Sequence, residues 1–386
     1  MVAEIALALI LLSSAGLFFK SLLSMGQADP GFLTEHLVSV PLPLAGGYDA
    51  TSRQQFTSAV TTRLRDLPGT QSVAVSLTVP FEYVGSSQCC MSNDISGGPG
   101  SLDVDPLPRV MVHPVTPDYF KTLGAPITSG REFDATDEAG DGHVAVLNEP
   151  IAEYFFGAED PIGRSLEVAG RGTFTVIGVV RGVRHWGVPR GVSAGIYIPW
   201  GRWGSFSDIY KLLVRSTADL ETLAPAIREA IWAADPDLPV EEIIPMRRRV
   251  EASVAGHRFL SILLGTFATL ALVLATGGIY ASMLYTVGQR RQELGIRLAL
   301  GAGGGKVGGM VLRSALGLAA IGVALGLAGS IGVSAVLRSW LYGVDMVDKA
   351  TLSGVMAILG SAALLASLIP AIKAARTDPQ ETLKAD

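Results

Sequence analysis

The sequence predicts a membrane protein with four transmembrane α-helices and one large α+β domain outside the bilayer. Two observations carry this prediction. Hydrophobic residues make up 49% of the 386 residues and charged residues 17%, with a mean hydropathy of +0.40, whereas a soluble domain carries about 25% charged residues. The charge is also unevenly distributed: residues 27–256 hold 18 basic and 28 acidic residues, and the remainder holds 12 and 7. A polar, acidic domain is therefore enclosed by apolar segments with basic borders.

Four apolar segments are long enough to cross a membrane, since about 20 helical residues span the hydrocarbon core. They cover residues 1–26, 259–287, 312–337 and 350–372. Lys20 interrupts the first, and its long side chain can reach the head groups. An uncleaved anchor is favoured over a signal peptide for residues 1–26, because no basic start or small-residue cleavage site is evident. That helix begins almost at Met1, which leaves open whether the chain is part of a longer protein.

The positive-inside rule orients these helices. The loop between the second and third spans and the tail after the fourth are rich in basic residues, and both are predicted to be cytoplasmic. The domain at 27–256 then lies outside, together with the loop between the third and fourth spans. The basic residues concerned are Arg290, Arg291, Arg297, Lys306, Arg313, Lys373, Arg376 and Lys384.

The third span contains a GxxxG step formed by Gly322 and Gly326. Glycines at this spacing let two helix backbones approach closely in lipid. We predict a helix-packing face there, although small residues are also generally common in membrane helices. The sequence does not identify the partner helix.

Two β-α-β passages frame the external domain, at residues 33–80 and 209–246, and they predict a split βαβ arrangement. The helical patterns carry Phe56, Val60 and Leu64 in the first passage and Leu220, Leu223, Ile227 and Ile231 in the second. Residues 240–244 are predicted to form the last strand. The insertion at 81–208 is predicted to be rich in short strands, at 110–115, 144–147, 173–180 and 196–198.

Two cysteines, Cys89 and Cys90, are adjacent in a Gly/Ser-rich part of the insertion. Outside the cytoplasm they are compatible with a vicinal disulfide, with two free thiols or with pairing to another chain. The sequence leaves these three states open.

No catalytic residues, metal site or cofactor are predicted. The five histidines show no metal-ligand spacing, and neither a CxxC nor a GxSxG motif occurs. The glycine-rich run at 301–307 lacks the spacing and the hydroxyl residue of a phosphate-binding loop, so the chain is not expected to bind ATP by itself. No nucleic-acid partner is expected either.

The cytoplasmic segment at 288–304 is the most informative motif. Glu293 and Arg297 are spaced i,i+4 in the favourable order, and Arg290 precedes Glu293 by three residues. A short helix with a charged side is one interpretation. The other is a basic collar whose role is to set the topology, and the spacing does not separate the two.

The motifs together resemble those of the MacB/FtsX-like permeases of ABC transporters, in particular duplicated permeases with a MacB-like periplasmic core domain. The resemblance covers nearly the whole chain. Besides the segment at 288–304, it includes Asp29–Pro30–Gly31–Phe32, Tyr119–Phe120, Leu123–Gly124, Gly130–Arg131, Phe133, Asn148–Glu149, the Asp-Pro-Ile-Gly at 160–163, the Gly-Val-Val at 178–180, Tyr197, Pro199, the Asp-Pro-Asp-Leu-Pro at 235–239, Ala375–Arg376 and Asp378–Pro379.

This resemblance implies a multi-pass protein of the bacterial inner membrane with a porter-like periplasmic domain and a strand-rich insertion. It implies a cytoplasmic ABC ATPase acting in trans, and a homodimer or a pairing with a homologous permease half. Hydrolysis would be transmitted mechanically to the periplasmic domain. The residues expected to contact the ATPase are Arg290, Arg291, Glu293, Gly295 and Arg297.

The chain departs from the family in lacking an ATPase domain and in its glycine-rich run at 303–309. These departures favour the alternative function, an ATP-independent membrane-anchored binding or scaffold protein with vestigial permease architecture.

Overall fold

A computed structural model describes residues 2–44, 48–82, 91–92, 95–96, 110–139, 143–168, 172–200, 209–290, 293, 296, 304–345 and 348–375. The chain divides into two compact units: residues 1–27 with 255–386, and residues 28–254. The first contains four helices long and apolar enough to cross a membrane, and the second contains a mixed α/β sheet structure. The predicted fold class is confirmed.

The helices of the described residues are, in chain order, α1 (Val2–Gly26), α2 (Ala50–Arg65), α3 (Tyr119–Leu123), α4 (Ala135–Ala139), α5 (Glu149–Phe156), α6 (Leu220–Trp232), α7 (Met246–Gln289), α8 (Gly304–Leu337) and α9 (Lys349–Ala375). The strands are β1 (Leu37–Pro43), β2 (Thr70–Ser76), β3 (Met91–Ser92), β4 (Ile95–Ser96), β5 (Val110–Val115), β6 (Ile127–Gly130), β7 (Val144–Asn148), β8 (Ser165–Val168), β9 (Gly172–Val180), β10 (Gly195–Pro199), β11 (Ile209–Ser216) and β12 (Ile244–Pro245).

The split βαβ arrangement occupies one end of the sheet, in the order β12-β1-β11-β2. Strands β1 and β2, joined by α2, lie on either side of β11, and β11 and β12, joined by α6, lie on either side of β1. Each βαβ unit is therefore split by a strand of the other. The two βαβ units together form one layer of four strands, which is covered by α2 and α6.

The core between this layer and its helices follows the sequence pattern. Phe56, Val60 and Leu64 of α2 are buried together with alternate residues of β1, β2 and β11, because a helix buries one stripe and a strand one face. Asp49 caps α2 by accepting a hydrogen bond from the Ser52 backbone N–H at 2.7 Å. Leu220 is the exception among the predicted core residues, since it lies exposed in the first turn of α6.

The insertion extends the same sheet. A single residue pair, Ser76 and Val115, links β2 to β5, and the sheet continues as β5-β10-β7-β9-β8-β4, with β3 on β5 and β6 on β9. The pairs β5/β10 and β7/β9 are parallel. Ile151 and Phe155 of α5 cover the apolar side of these strands. The insertion is therefore strand-rich, as predicted.

Two elements differ from the sequence-based expectation. The predicted strand at 240–244 is reduced to Ile244–Pro245, which pair with Ser39 and Val38 of β1. Helix α7 begins at Met246 rather than at residue 259. Residues 246–258 are polar but still favour helix, and apolarity fixes where a helix enters lipid, not where it starts. Cys89 and Cys90 lie outside the described residues.

A buried arginine ties the start of the external unit together. The Arg215 guanidinium donates hydrogen bonds to the backbone carbonyls of Thr122, Glu35, Leu33 and Leu123, all at 2.8–3.0 Å. Four backbone carbonyls thereby gain a charged donor. This fixes residues 33–35 against α3 and β11.

Candidate functional site

The predicted ATPase-coupling segment lies partly within the described residues. Arg290 follows the last turn of α7, where its backbone N–H donates to the Thr286 carbonyl at 3.2 Å, and its side chain is exposed. Glu293 is helical and exposed. Arg291, Gly295 and Arg297 lie outside the described residues. The proposed contact role of these five residues, and the pairing of Glu293 with Arg297, remain predictions.

The glycines of the third span face α1. A Cβ added at Gly322 would lie 2.9 Å from the Ile5 Cβ, and one added at Gly326 would lie 2.9 Å from the Leu9 Cβ. Gly329 continues the face, with an added Cβ 2.6 Å from the Ile10 Cδ1. A side chain at Gly322 or Gly326 would collide with Cβ and backbone atoms of α1, whereas one at Gly329 would displace the end of the Ile10 side chain. At Gly332, by contrast, a Cβ would meet nothing within 4 Å.

All four membrane helices contribute to the apolar interior of the membrane unit. One cluster contains Leu9, Ala275 and Leu359, and another contains Ile5, Ile279 and Ala366. Helix α7 is the least enclosed of the four. In its most apolar stretch of 18 residues 11% of the residues are buried, against 39% for α1. Within its apolar span, the buried residues form one stripe, Ala268, Ala275, Ile279 and Met283. Large apolar side chains on its other faces are exposed, as expected for contact with lipid.

A polar cluster joins α1 to the connection between α8 and α9. The Lys20 ammonium donates to the Asp348 carboxylate at 2.7 Å, and Asp348 also accepts the Thr351 backbone N–H at the start of α9. The Ser21 hydroxyl accepts the Tyr342 backbone N–H at 2.8 Å. Lys20 therefore has a protein partner, a role that the sequence did not indicate.

The external unit contains a polar cleft of about 440 Å³ between α2, residues 116–118 and α4. One face of α2 lines it with hydroxyl groups, from Thr57, Ser58, Thr61 and Thr62. Arg65 bridges the cleft to Asp118 at 3.1 Å, and burial raises the pKa of Glu138. The lining can hydrogen-bond a polar molecule.

The histidines do not form a metal centre in the part of the chain that is described. There, no group of three or more His, Cys, Asp or Glu side chains is placed to hold a metal ion. His113 and His185 do meet, with stacked rings whose centroids are 3.9 Å apart. Both are buried, and their hydrogen-bond partners are Thr78 and Tyr197.

The sequence reasoning missed a second polar cluster, formed by Glu82, Lys211 and Arg249. Lys211 is a charged residue in an otherwise largely apolar strand, and it is buried. Its ammonium is 2.7 Å from the Glu82 carboxylate. The alternation in β11 carried a signal: Lys211, Leu213 and Arg215 share one face, opposite the core residues Tyr210, Leu212 and Val214. Two cations on one face of a strand indicate buried polar partners on that side.

Four membrane helices, with a large α+β domain between the first two in the chain, define the architecture of a permease-type membrane protein. Residues 6–230 match the model of the MacB-like periplasmic core domain, and residues 265–379 match that of the FtsX-like permease C-terminal domain. The chain belongs to the MacB/FtsX-like permease family of ABC transporters. It is a multi-pass inner-membrane protein with a periplasmic domain.

Similar proteins include the macrolide export ATP-binding/permease protein MacB of Azoarcus sp., which is 32% identical over 286 residues, 70% of this chain and 42% of that protein. The pyoverdine export ATP-binding/permease protein PvdT of Pseudomonas putida is 27% identical over 281 residues, 68% of this chain and 41% of that protein. The chain thus spans about two fifths of the length of these relatives.

Among solved structures, the periplasmic region of MacB from Actinobacillus actinomycetemcomitans is similar, with a TM-score of 0.39 and 15% sequence identity. The match covers 59% of this chain and 97% of that one.

Proposed function

We propose that this chain is the permease subunit of an export-type ABC transporter, which couples ATP hydrolysis by a separate cytoplasmic ATPase to motion of its periplasmic domain. The observation that carries the proposal is the order of the two family matches, a MacB-like periplasmic core domain followed by an FtsX-like permease domain. Two similar proteins are named as ATP-binding/permease proteins. In this proposal the chain itself performs no catalysis.

Helix α7 is the proposed transmission element. It is an uninterrupted helix of 44 residues, about 66 Å long at 1.5 Å per residue. It begins beside the external sheet and ends at the cytoplasmic coupling segment. A helix of this kind moves as a rigid body, so a displacement of its cytoplasmic end by the ATPase reaches its external end.

The partner proposal has two parts. The coupling segment, with Arg290, Arg291, Glu293, Gly295 and Arg297, contacts the ATPase. The permease acts as a homodimer or with a homologous permease half, in the lipid bilayer. The exposed apolar side chains of α7 are compatible with lipid and with a second permease.

Co-purification tests the coupling. The chain is expressed with an ABC ATPase of its host and isolated in mild detergent. Glu293→Arg and Arg297→Glu are each expected to lower the ATPase retained by at least about tenfold, because a charge reversal removes a contact and adds a repulsion. Arg338→Glu, a reversal in the loop between α8 and α9, is the matched control and is expected to retain the ATPase.

The double reversal of Glu293 and Arg297 separates contact from local stability. If the two side chains only support each other within a helix, the double variant regains binding. If they contact the ATPase, it remains impaired. Wild-type retention of no ABC ATPase, or unchanged retention by both single variants, would contradict the coupling role.

A further inference from the structure

The cluster of Glu82, Lys211 and Arg249 connects the first turn of α7 to the external sheet. The Glu82 carboxylate lies 2.7 Å from the Lys211 ammonium and 3.8 Å from the Arg249 guanidinium. Arg249 Nε also donates a hydrogen bond to the Ser39 hydroxyl at 2.9 Å, and that hydroxyl donates to the Ile244 carbonyl at 3.4 Å. One arginine of α7 thus reaches β1 directly and β11 through Glu82.

The burial of these charges sets Arg249 apart from its neighbours. The three side chains are 9%, 16% and 11% exposed for Lys211, Glu82 and Arg249. Arg247 and Arg248 are 78% and 67% exposed, and their partners are the surface carboxylates Glu251 and Glu242. Exposed pairs of this kind contribute little. Among three consecutive arginines, Arg249 alone is buried against the sheet.

Stability is a poor explanation for this cluster. Two cations share one carboxylate, so the group carries a net charge of +1, and the second carboxylate oxygen of Glu82 has no hydrogen-bond partner among the described residues. Replacing a whole buried ion cluster by apolar residues often costs no stability, because desolvation offsets the attraction, whereas removing one member alone leaves its partners without their contacts. Their geometry, however, is directional: a guanidinium held by a hydroxyl and a carboxylate fixes the position and rotation of the helix that carries it.

We propose that Arg249 is the positioning residue that clamps α7 to strands β1 and β11, with Glu82 as the shared counter-ion. The clamp passes a displacement or rotation of α7 to the sheet. This role rests on the proposed function, whereas the clamp itself does not. Lys211 of β11 holds the Glu82 carboxylate in place through their 2.7 Å ion pair, so that β11 moves with β1.

Hydrogen exchange on the full-length chain in lipid nanodiscs tests the clamp without any ATPase. Arg249→Met is expected to raise the exchange of amides 249–252 about tenfold, since local opening no longer breaks the buried contacts. Arg247→Met removes the neighbouring exposed pair and is expected to change exchange less than about twofold. Unchanged protection in Arg249→Met would overturn the clamp. If that variant does not fold, Ser39→Ala, which removes the hydroxyl that accepts from Arg249 and donates to Ile244, is expected to raise exchange at the same amides, and its failure to do so would equally overturn the clamp.

A second arm adds the ATPase and ATP. In the wild-type protein, ATP is expected to change the exchange of β11, and Arg249→Met is expected to abolish this change while Arg247→Met and Arg249→Lys retain all or part of it. A merely stabilising residue would leave the ATP-dependent change in place, and that result would refute the positioning role. If wild-type β11 shows no response to ATP, the proposed function fails, whereas the result of the first arm stands.

Discussion

His113 on β5 and His185 after β9 stack face to face in the interior of the external unit. Burial lowers the pKa of His113 well below its ordinary value, with a further contribution from His185, and burial lowers that of His185 to about 3. Their free ring nitrogens, His113 Nε2 and His185 Nδ1, have no hydrogen-bond partner among the described residues. Both imidazoles are therefore neutral in the folded protein near neutral pH.

The buried pair predicts an acid-labile periplasmic domain. In the unfolded chain the histidines take up protons below about pH 6.5, whereas in the folded chain they stay neutral. The contribution of this difference to the free energy of unfolding is fully present above pH 6.5. It is lost as the pH falls towards 3, by about 1.4 kcal/mol per pH unit for each histidine. Chemical denaturation of the purified protein at a series of pH values between 7 and about 4.5 measures this slope.

Substitutions separate these histidines from the acidic residues that also titrate. His113→Gln and His185→Gln are each expected to reduce the slope of the unfolding free energy with pH by about 1.4 kcal/mol per pH unit, the equivalent of one proton. This holds even where they lower the stability at pH 7. His143→Gln, at an exposed position, is the control and should preserve the slope. An unchanged slope in both buried variants would show that the pair does not cause the acid lability.

At the level of elements, α1 and α8 pack closely because glycines of α8 have no side chains to separate the two backbones. Gly322, Gly326 and Gly329 let α8 approach Ile5, Leu9 and Ile10 of α1. Hydrophobic burial does not favour one helix partner over another in lipid, so close packing decides which helices associate. The Lys20–Asp348 pair then adds a polar connection between α1 and the start of α9.

Two glycine substitutions in α8 test this packing. Gly326→Val is expected to destabilise the membrane unit by about 1–3 kcal/mol, because the added side chain collides with α1. Gly332→Val adds the same side chain where no atom lies within 4 Å and is expected to be nearly neutral. Thermal unfolding in detergent, followed through the loss of monodisperse protein, compares the two. Equal destabilisation would show that glycine at these positions serves something other than the α1 contact.

The elements themselves were predictable wherever one period dominated the local sequence. Helices α2 and α6 follow from apolar residues at i and i+4, and β11 from its alternation. The strand at 240–244 was wrong because its pairing depends on β1, which lies about two hundred residues earlier in the chain. Helix α7 extends beyond the predicted membrane span at 259–287 because the residues before the span continue the helix.

At the level of the whole molecule, α7 is the element that both compact units share, since their division falls at residue 254. Gly256 lies just after this division, and a Cβ there would meet nothing within 4 Å. Any substitution at Gly256 therefore acts on the helix backbone rather than on packing. This makes the position suitable for testing whether helix continuity matters.

Gly256→Pro and Gly256→Ala are expected to have opposite effects. Proline removes a backbone N–H and interrupts the helix at a cost of about 3 kcal/mol, whereas alanine favours helix by about 1 kcal/mol. Gly256→Pro should abolish ATP-dependent changes in hydrogen exchange of the external sheet, and Gly256→Ala should keep them. A proline variant that responds to ATP like the wild type would exclude α7 as the transmission element.

The sequence by itself determined the four spans, their orientation, the split βαβ plan and the family, because apolar length, loop charge and local periodicity are properties of neighbouring residues. It also contains the GxxxG step from which a packing face is predicted. Only the tertiary structure decided that α1 covers this face, that Lys20 pairs with Asp348, that His113 stacks on His185 and that Arg249 shares Glu82 with Lys211. Each of these contacts joins residues far apart in the chain, and their energies depend on burial and distance, which follow from the packing of the whole fold.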